Sequence, residues 1–133
     1  MTDWDHEVDV VVLGSGGAGL TAALTAAVHG ASVEVYEKSA TVGGTTAVSG
    51  GIMWVPGHKR SSTGQLTPED AMAYLRAQSL GYMDDELVET FVHTGADMLD
   101  FVEAHSDLRF EVAQGFPDYK PELPGGQPGG GRQ

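Results

Sequence analysis

Apolar positions first cluster in this chain without alternation. Residues 8–13, VDVVVL, are a short β-branched run. A continuous run of this kind predicts a strand of a parallel sheet buried on both faces, whereas a half-exposed strand alternates apolar and polar residues. Residues 19–30, GLTAALTAAVHG, are rich in Ala and Leu and predict a helix stopped by Gly30. A second strand is expected over 32–37, SVEVYE. The three elements make a βαβ unit with short joins.

The pattern then lapses. Residues 38–66 carry Gly, Ser and Thr throughout and are expected to be irregular; a loop this long in a compact domain is usually functional or disordered. Helical signals return at Thr67-Pro68-Glu69-Asp70. Thr67 suits the N-cap, Pro68 the first turn, and the two acids favour the positive end of the helix dipole. Asp84-Asp85-Glu86 starts another helix in the same way, with Leu87, Phe91, Met98 and Val102 as its apolar stripe and Gly95 as a weak point. Residues 109–112, RFEV, suggest a short strand. The remainder, FPDYKPELPGGQPGGGRQ, reads as loop to its last residue. No internal repeat is visible.

Composition narrows the function classes. A chain of 133 residues with 41% apolar content suits one globular domain. The net charge of −12, with seven Lys and Arg, argues against nucleic acid, whose phosphates require clustered cations. Cysteine is absent, which excludes disulfides, thiolate metal sites and a cysteinyl flavin link. The acidic start MTDWDHEVD lacks the basic region of a secretory signal, and no apolar run reaches the roughly 20 residues of a membrane helix. A cytoplasmic location with no transmembrane segment is the expectation. Histidines 6, 29, 58, 93 and 105 show no metal-ligand spacing, so no metal site is expected. Trp54 is left with two readings, the wall of a substrate channel or core.

The candidate chemistry lies in the glycines. Gly14-Ser15-Gly16-Gly17-Ala18-Gly19 fits G-x-G-x-x-G, follows a strand, opens a helix, and has Glu37 at the end of the second strand. In that context the pattern predicts dinucleotide binding. Gly14 permits a tight turn, Gly16 lets the backbone approach a pyrophosphate, and Gly19 lets helix and sheet pack closely. The helix N-terminus offers N–H groups and partial positive charge to the phosphates, and Glu37 can accept hydrogen bonds from a ribose. The βαβ unit alone does not separate a nicotinamide from a flavin.

The segment Glu37 to Gly57, EKSATVGGTTAVSGGIMWVPG, resembles the N-terminal part of the fumarate reductase/3-ketosteroid dehydrogenase superfamily of FAD enzymes. Lys38 and Ser39 follow the ribose-binding Glu in it. Gly43, Gly44, Thr45, Thr46, Ser49, Gly50 and Gly51 match the second glycine pair and the Ser/Thr residues that wrap the flavin side of the cofactor. The resemblance implies an α/β fold, a Rossmann-like FAD-binding domain of which this chain is the N-terminal portion. Where related enzymes attach flavin through a histidine this chain has Gly44, which implies non-covalent FAD. PDYKPELPGGQPGGGR is similar to a segment of the 3-ketosteroid dehydrogenase branch, in which a tyrosine matching Tyr119 lies in the active site beside the flavin. That implies a catalytic Tyr119; a loop tyrosine packed against a proline is the other reading.

Members of the superfamily are several times longer, so the chain is expected to be a truncated N-terminal part, inactive by itself, with the main catalytic base beyond residue 133. The implied reaction is 1,2-desaturation of a 3-ketosteroid. A base removes the proton α to the ketone, and a hydride passes from the β carbon to the flavin. The substrate partner is then a small-molecule ketone; no motif identifies the electron acceptor. A fumarate reductase-like enzyme acting on an enoyl carboxylate, and a nucleotide-binding module without chemistry, are the alternatives.

Overall fold

The computed structural model describes residues 4–60 and 67–133. Positions 61–66, the end of the stretch expected to be irregular, and the first three residues of the acidic start lie outside the described residues. Among the described residues six elements follow in order: β1 (Val10–Leu13), α1 (Gly17–Val28), β2 (Val33–Tyr36), α2 (Gly44–Ala47), α3 (Pro68–Ser79) and α4 (Asp85–His105). They fall into two units, Met1–Gly51 and Ile52–Gln133.

In the first unit β1 and β2 are parallel neighbours, in register from Val10↔Val33 to Leu13↔Tyr36. Asp9 sets that register just before the strands begin. Its Oδ2 accepts from the Ser32 N–H at 2.8 Å and the Ser32 hydroxyl at 2.7 Å, while the Asp9 N–H donates to Ser32 Oγ at 3.0 Å. The Gly14 N–H continues the ladder past β1 to the Tyr36 carbonyl at 2.8 Å. Parallel strands need a crossover, and α1 supplies it, packing on both. It ends at Val28, and just beyond it the Gly30 N–H bonds to the Ala27 carbonyl at 3.0 Å. A single helix covers one side of a sheet. Val12 is accordingly buried, whereas Val11 and Leu13 are 56% and 82% exposed. The expectation of a strand covered on both faces is thus met on one face only among the described residues.

In the second unit α3 begins with a reciprocal cap. Thr67 Oγ1 accepts from the Asp70 N–H at 3.1 Å, and the Asp70 carboxylate accepts from the Thr67 hydroxyl at 3.1 Å. Asp84 Oδ1 caps α4 through the Leu87 N–H at 3.1 Å. The stripe of α4 differs from the expected one. Val92, Gly95, Leu99 and Val102 are buried, while Leu87 is 69% exposed and Phe91 42%. Gly95 decides the seam: a Cβ there would lie 2.9 Å from Val55 Cγ1, so the supposed weak point is where the chain around Val55 crosses the helix.

Residues 109–112 form no strand. The Phe110 N–H donates to Glu103 Oε1 at 2.7 Å and its carbonyl accepts from Arg60 Nη1 at 3.2 Å, so side chains hold the groups a ladder would need. The glycine-rich end has no helix or strand, yet it is packed. A Cβ on Gly125 would lie 2.0 Å from the Asp70 carbonyl oxygen, so its backbone rests directly on α3. Asp118 and Arg132 are buried, and the Arg132 carbonyl accepts from the Val55 N–H at 2.7 Å. No helix among the described residues is long and apolar enough to cross a membrane.

Candidate functional site

The residues expected to bind cofactor, from Gly14 to Gly51, all lie in the first unit. Ser15, between strand and helix, is buried and ties three segments together. Its N–H and hydroxyl donate to Glu37 Oε2 at 2.9 and 2.7 Å, and its Oγ accepts from the Gly43 N–H at 2.9 Å. Glu37 Oε1 accepts from the Ser39 N–H at 2.9 Å. The Ser39 N–H first, then the Ser15 hydroxyl and N–H, hold the Glu37 carboxyl at about 2, well below its usual 4.5. The Lys38 N–H adds a weaker contribution; the half-buried carboxylate is an acceptor of the kind a ribose hydroxyl needs.

The glycines divide by what surrounds them. A Cβ on Gly19 would lie 2.1 Å from the Gly14 carbonyl oxygen and 3.3 Å from Val12 Cγ1, so Gly19 is what brings α1 onto the strand. Gly14 sits at φ +100° in the turn. Gly44 approaches the first motif closely, its Cβ position 3.3 Å from Gly16 Cα. Gly16 differs from all of these. Its φ of −69° suits any residue, and a Cβ there would meet no protein atom within 4 Å. No described residue demands a glycine at 16, and the same open space lies at Gly50 and Gly129.

The second glycine segment partly converges on the same place. Thr46 Oγ1 accepts from the Gly17 N–H at 3.1 Å, so one donor at the start of α1 is already taken by the protein. Ser49 Oγ donates to the Thr46 carbonyl at 2.8 Å and accepts from the Gly51 N–H at 3.2 Å, shaping the turn after α2 rather than reaching the first motif. Thr45 is exposed within α2, Gly50 and Gly51 on the turn after it, and Ala18 in the first turn of α1.

Leu13, Gly14, Tyr36, Glu37 and Lys38 line a cleft of about 470 Å³. It opens at the carboxyl ends of both strands, where open α/β sheets take their ligands. Leu13 and Tyr36 were not among the expected site residues. The signal for them was their paired position as the last residues of neighbouring strands. Open space at Gly16, the cleft, and the acceptor capacity of Glu37 together fit the ADP half of a dinucleotide.

Tyr119, in the second unit, is 89% exposed, and its side chain makes no hydrogen bond or ring contact among the described residues. Trp54 is a packing residue. Its ring stacks on Phe91 at 6.2 Å, tilts on Tyr74 at 5.9 Å and donates from Nε1 to Asp118 Oδ1 at 2.7 Å. Among the described residues no group of His, Cys, Asp and Glu is placed to hold a metal ion.

Comparison with known proteins bears on these features. The family described as FAD binding domain matches residues 9–130. A 3-oxosteroid 1-dehydrogenase of Mycolicibacterium smegmatis is 46% identical over 94% of this chain and 22% of its own length. A 4-oxocyclohexanecarboxylate 2-dehydrogenase of Sinomonas cyclohexanicum is 45% identical over 92% of this chain and 22% of its own. The crystal structure of the 3-ketosteroid delta1-dehydrogenase of Sterolibacterium denitrificans, in complex with 1,4-androstadiene-3,17-dione, superposes with a TM-score of 0.87 at 35% identity, covering 93% of this chain and 22% of that one. The chain therefore spans about a fifth of the length of these relatives.

Proposed function

Because the chain belongs to the FAD-binding domain family, we propose that it is the N-terminal part of a longer cytoplasmic oxidoreductase that holds FAD without a covalent link. Its reaction introduces a double bond beside a ring ketone, with a 3-oxosteroid as substrate. The observation that carries the cofactor reading is the glycine turn between β1 and α1 beside a cleft lined by Gly14, Glu37 and Lys38. For the substrate, support comes from the relatives: their names share an oxo group on a ring, and the solved one holds a steroid dione.

The chain's own residues would act as follows. The backbone from Gly14 to Gly19 and the N-terminus of α1 take the pyrophosphate, and the Glu37 carboxylate takes a ribose hydroxyl. Thr45 offers its hydroxyl and Gly50 its N–H toward the flavin side, on a turn that Ser49 and Gly51 shape. The substrate loses a proton from the carbon α to its carbonyl and a hydride from the β carbon, leaving a C=C bond. FAD, when bound, supplies the hydride acceptor. Tyr119 presents a phenol that can donate to, or relay a proton for, a group acting next to the ketone.

The test is anaerobic mixing of the full-length flavoprotein with a 3-oxosteroid, with 4-oxocyclohexanecarboxylate and with an unsaturated carboxylate as competing candidates. The steroid should bleach the flavin. Tyr119→Phe should lower steroid turnover about 100-fold with flavin content unchanged. Bleaching by the oxocyclohexane alone would remove the steroid. Turnover only as reduction of the unsaturated carboxylate would replace dehydrogenation, and purification without flavin would remove the cofactor reading.

A further inference from the structure

Tyr119 stands between two anchored neighbours. On one side Asp118 is 2% exposed, and its carboxylate collects four donors. Trp54 Nε1 and Gln133 Nε2 donate to Oδ1 at 2.7 and 3.0 Å, and the Gln127 N–H and Arg132 Nη1 donate to Oδ2 at 2.9 and 2.8 Å. Its own N–H donates to the Gln127 carbonyl at 3.0 Å. On the other side the Lys120 N–H donates to the Tyr74 hydroxyl at 3.2 Å. Tyr74 belongs to α3 and is itself 3% exposed. The backbone is thus pinned immediately before and immediately after a residue whose own side chain is free in solvent.

The pins are built from polar groups where apolar ones would pack at less cost. The Arg132 and Asp118 side chains are both fully buried, and the guanidinium lies over the rings of Trp54 at 5.4 Å and Tyr74 at 5.9 Å. Arg132 Nε and Nη2 have no hydrogen-bond partner among the described residues. A buried ion pair with orphaned donors is a poor source of stability compared with apolar side chains of the same volume. What it does supply is rigidity: four donors hold the Asp118 carboxylate, and the Gln127 carbonyl holds the backbone N–H at 118.

We propose that Asp118 and Tyr74 are positioning residues for Tyr119. The Asp118–Arg132 pair and the Tyr74 hydroxyl hold the turn at 118–120 so that the Tyr119 phenol projects at a fixed angle toward the ketone substrate. This rests on the catalytic reading of Tyr119 given above. Neither positioning residue touches substrate, and both act through the orientation of the residue between them.

The experiment is a double-mutant cycle in the full-length flavoprotein, with kcat and KM measured for a 3-oxosteroid. Tyr74→Phe keeps the ring and removes the acceptor of the Lys120 N–H. It should lower kcat by roughly three- to tenfold, the scale of a small misplacement of a reacting group, with KM within about twofold and flavin content unchanged. In the Tyr119→Phe background the same change should cost nothing further, because there is no phenol left to aim. Asp118→Asn should follow the same cycle with a larger first loss; if that protein does not fold, Tyr74→Phe decides alone. Equal losses in both backgrounds, or no loss from Tyr74→Phe in the parent, would overturn the positioning role while Tyr119→Phe remained impaired. Full turnover by Tyr119→Phe itself would instead remove the catalytic reading, and the positioning role with it.

Discussion

At Gly16 the backbone adopts φ −69° and ψ 175°, which any side chain tolerates, and the space where a Cβ would stand contains no protein atom. Gly16→Ala should therefore leave the fold intact and act on the cofactor alone. FAD affinity of the full-length protein should fall by roughly 10- to 100-fold, since a methyl group displaces a phosphate from hydrogen-bonding distance, with an unchanged melting temperature of the apo-protein. Titration of FAD into apo-protein checks it; wild-type affinity would show that no phosphate lies there. Gly19 makes the contrast. Its substitution meets the Gly14 carbonyl within the fold itself, so lost flavin in that variant would say nothing about ligand contact. Both glycines were legible as one motif in the sequence. Their different reasons for being glycine were legible too: the close packing expected at Gly19 is met by the Gly14 carbonyl, and the approach of a pyrophosphate expected at Gly16 is what the FAD titration reads.

For the elements, the caps carried the clearest signals. Thr67 with Asp70, and Asp84 with Leu87, act within a single turn, and such local chemistry is written in adjacent residues. The βαβ order was legible for the same reason. What escaped depends on partners far along the chain. The α4 stripe is set by Val55, the backbone groups of Phe110 are held by Glu103 and Arg60, and the glycine-rich end is seated on α3 by Gly125. A run of glycines looks the same in sequence whether water or a carbonyl lies beside it. Gly125→Ala tests that seat. With φ at +76° and the Asp70 oxygen 2.0 Å from the new Cβ, it should destabilise the second unit by about 2–4 kcal/mol, read as a lowered melting temperature of the full-length protein. A melting temperature within a degree of the parent would show that the loop does not rest on α3.

On the scale of the whole chain, each unit contains one glutamate held at about 2. Glu37 is held by Ser39 and Ser15, and Glu103 chiefly by the Arg60 side chain and then by the Phe110 N–H. A carboxyl lowered in the folded state stabilises it fully above its ordinary value of 4.5, and that contribution is lost as the pH falls through about 2. Glu103 meets Arg60 in a two-point contact, Oε1 to Nη1 at 2.7 Å and Oε2 to Nη2 at 2.8 Å. Glu103→Gln should therefore be less stable than the parent above pH 4.5, and the gap should close as acid is added. Urea midpoints followed down that range should converge; parallel curves would show that the pair does not link protonation to folding. The Val55–Arg132 hydrogen bond has a consequence of another kind. In topological terms it is a clasp: one hydrogen bond brings the backbone near the start of the second unit back against the backbone near residue 132, so the ends of a long excursion meet at one place.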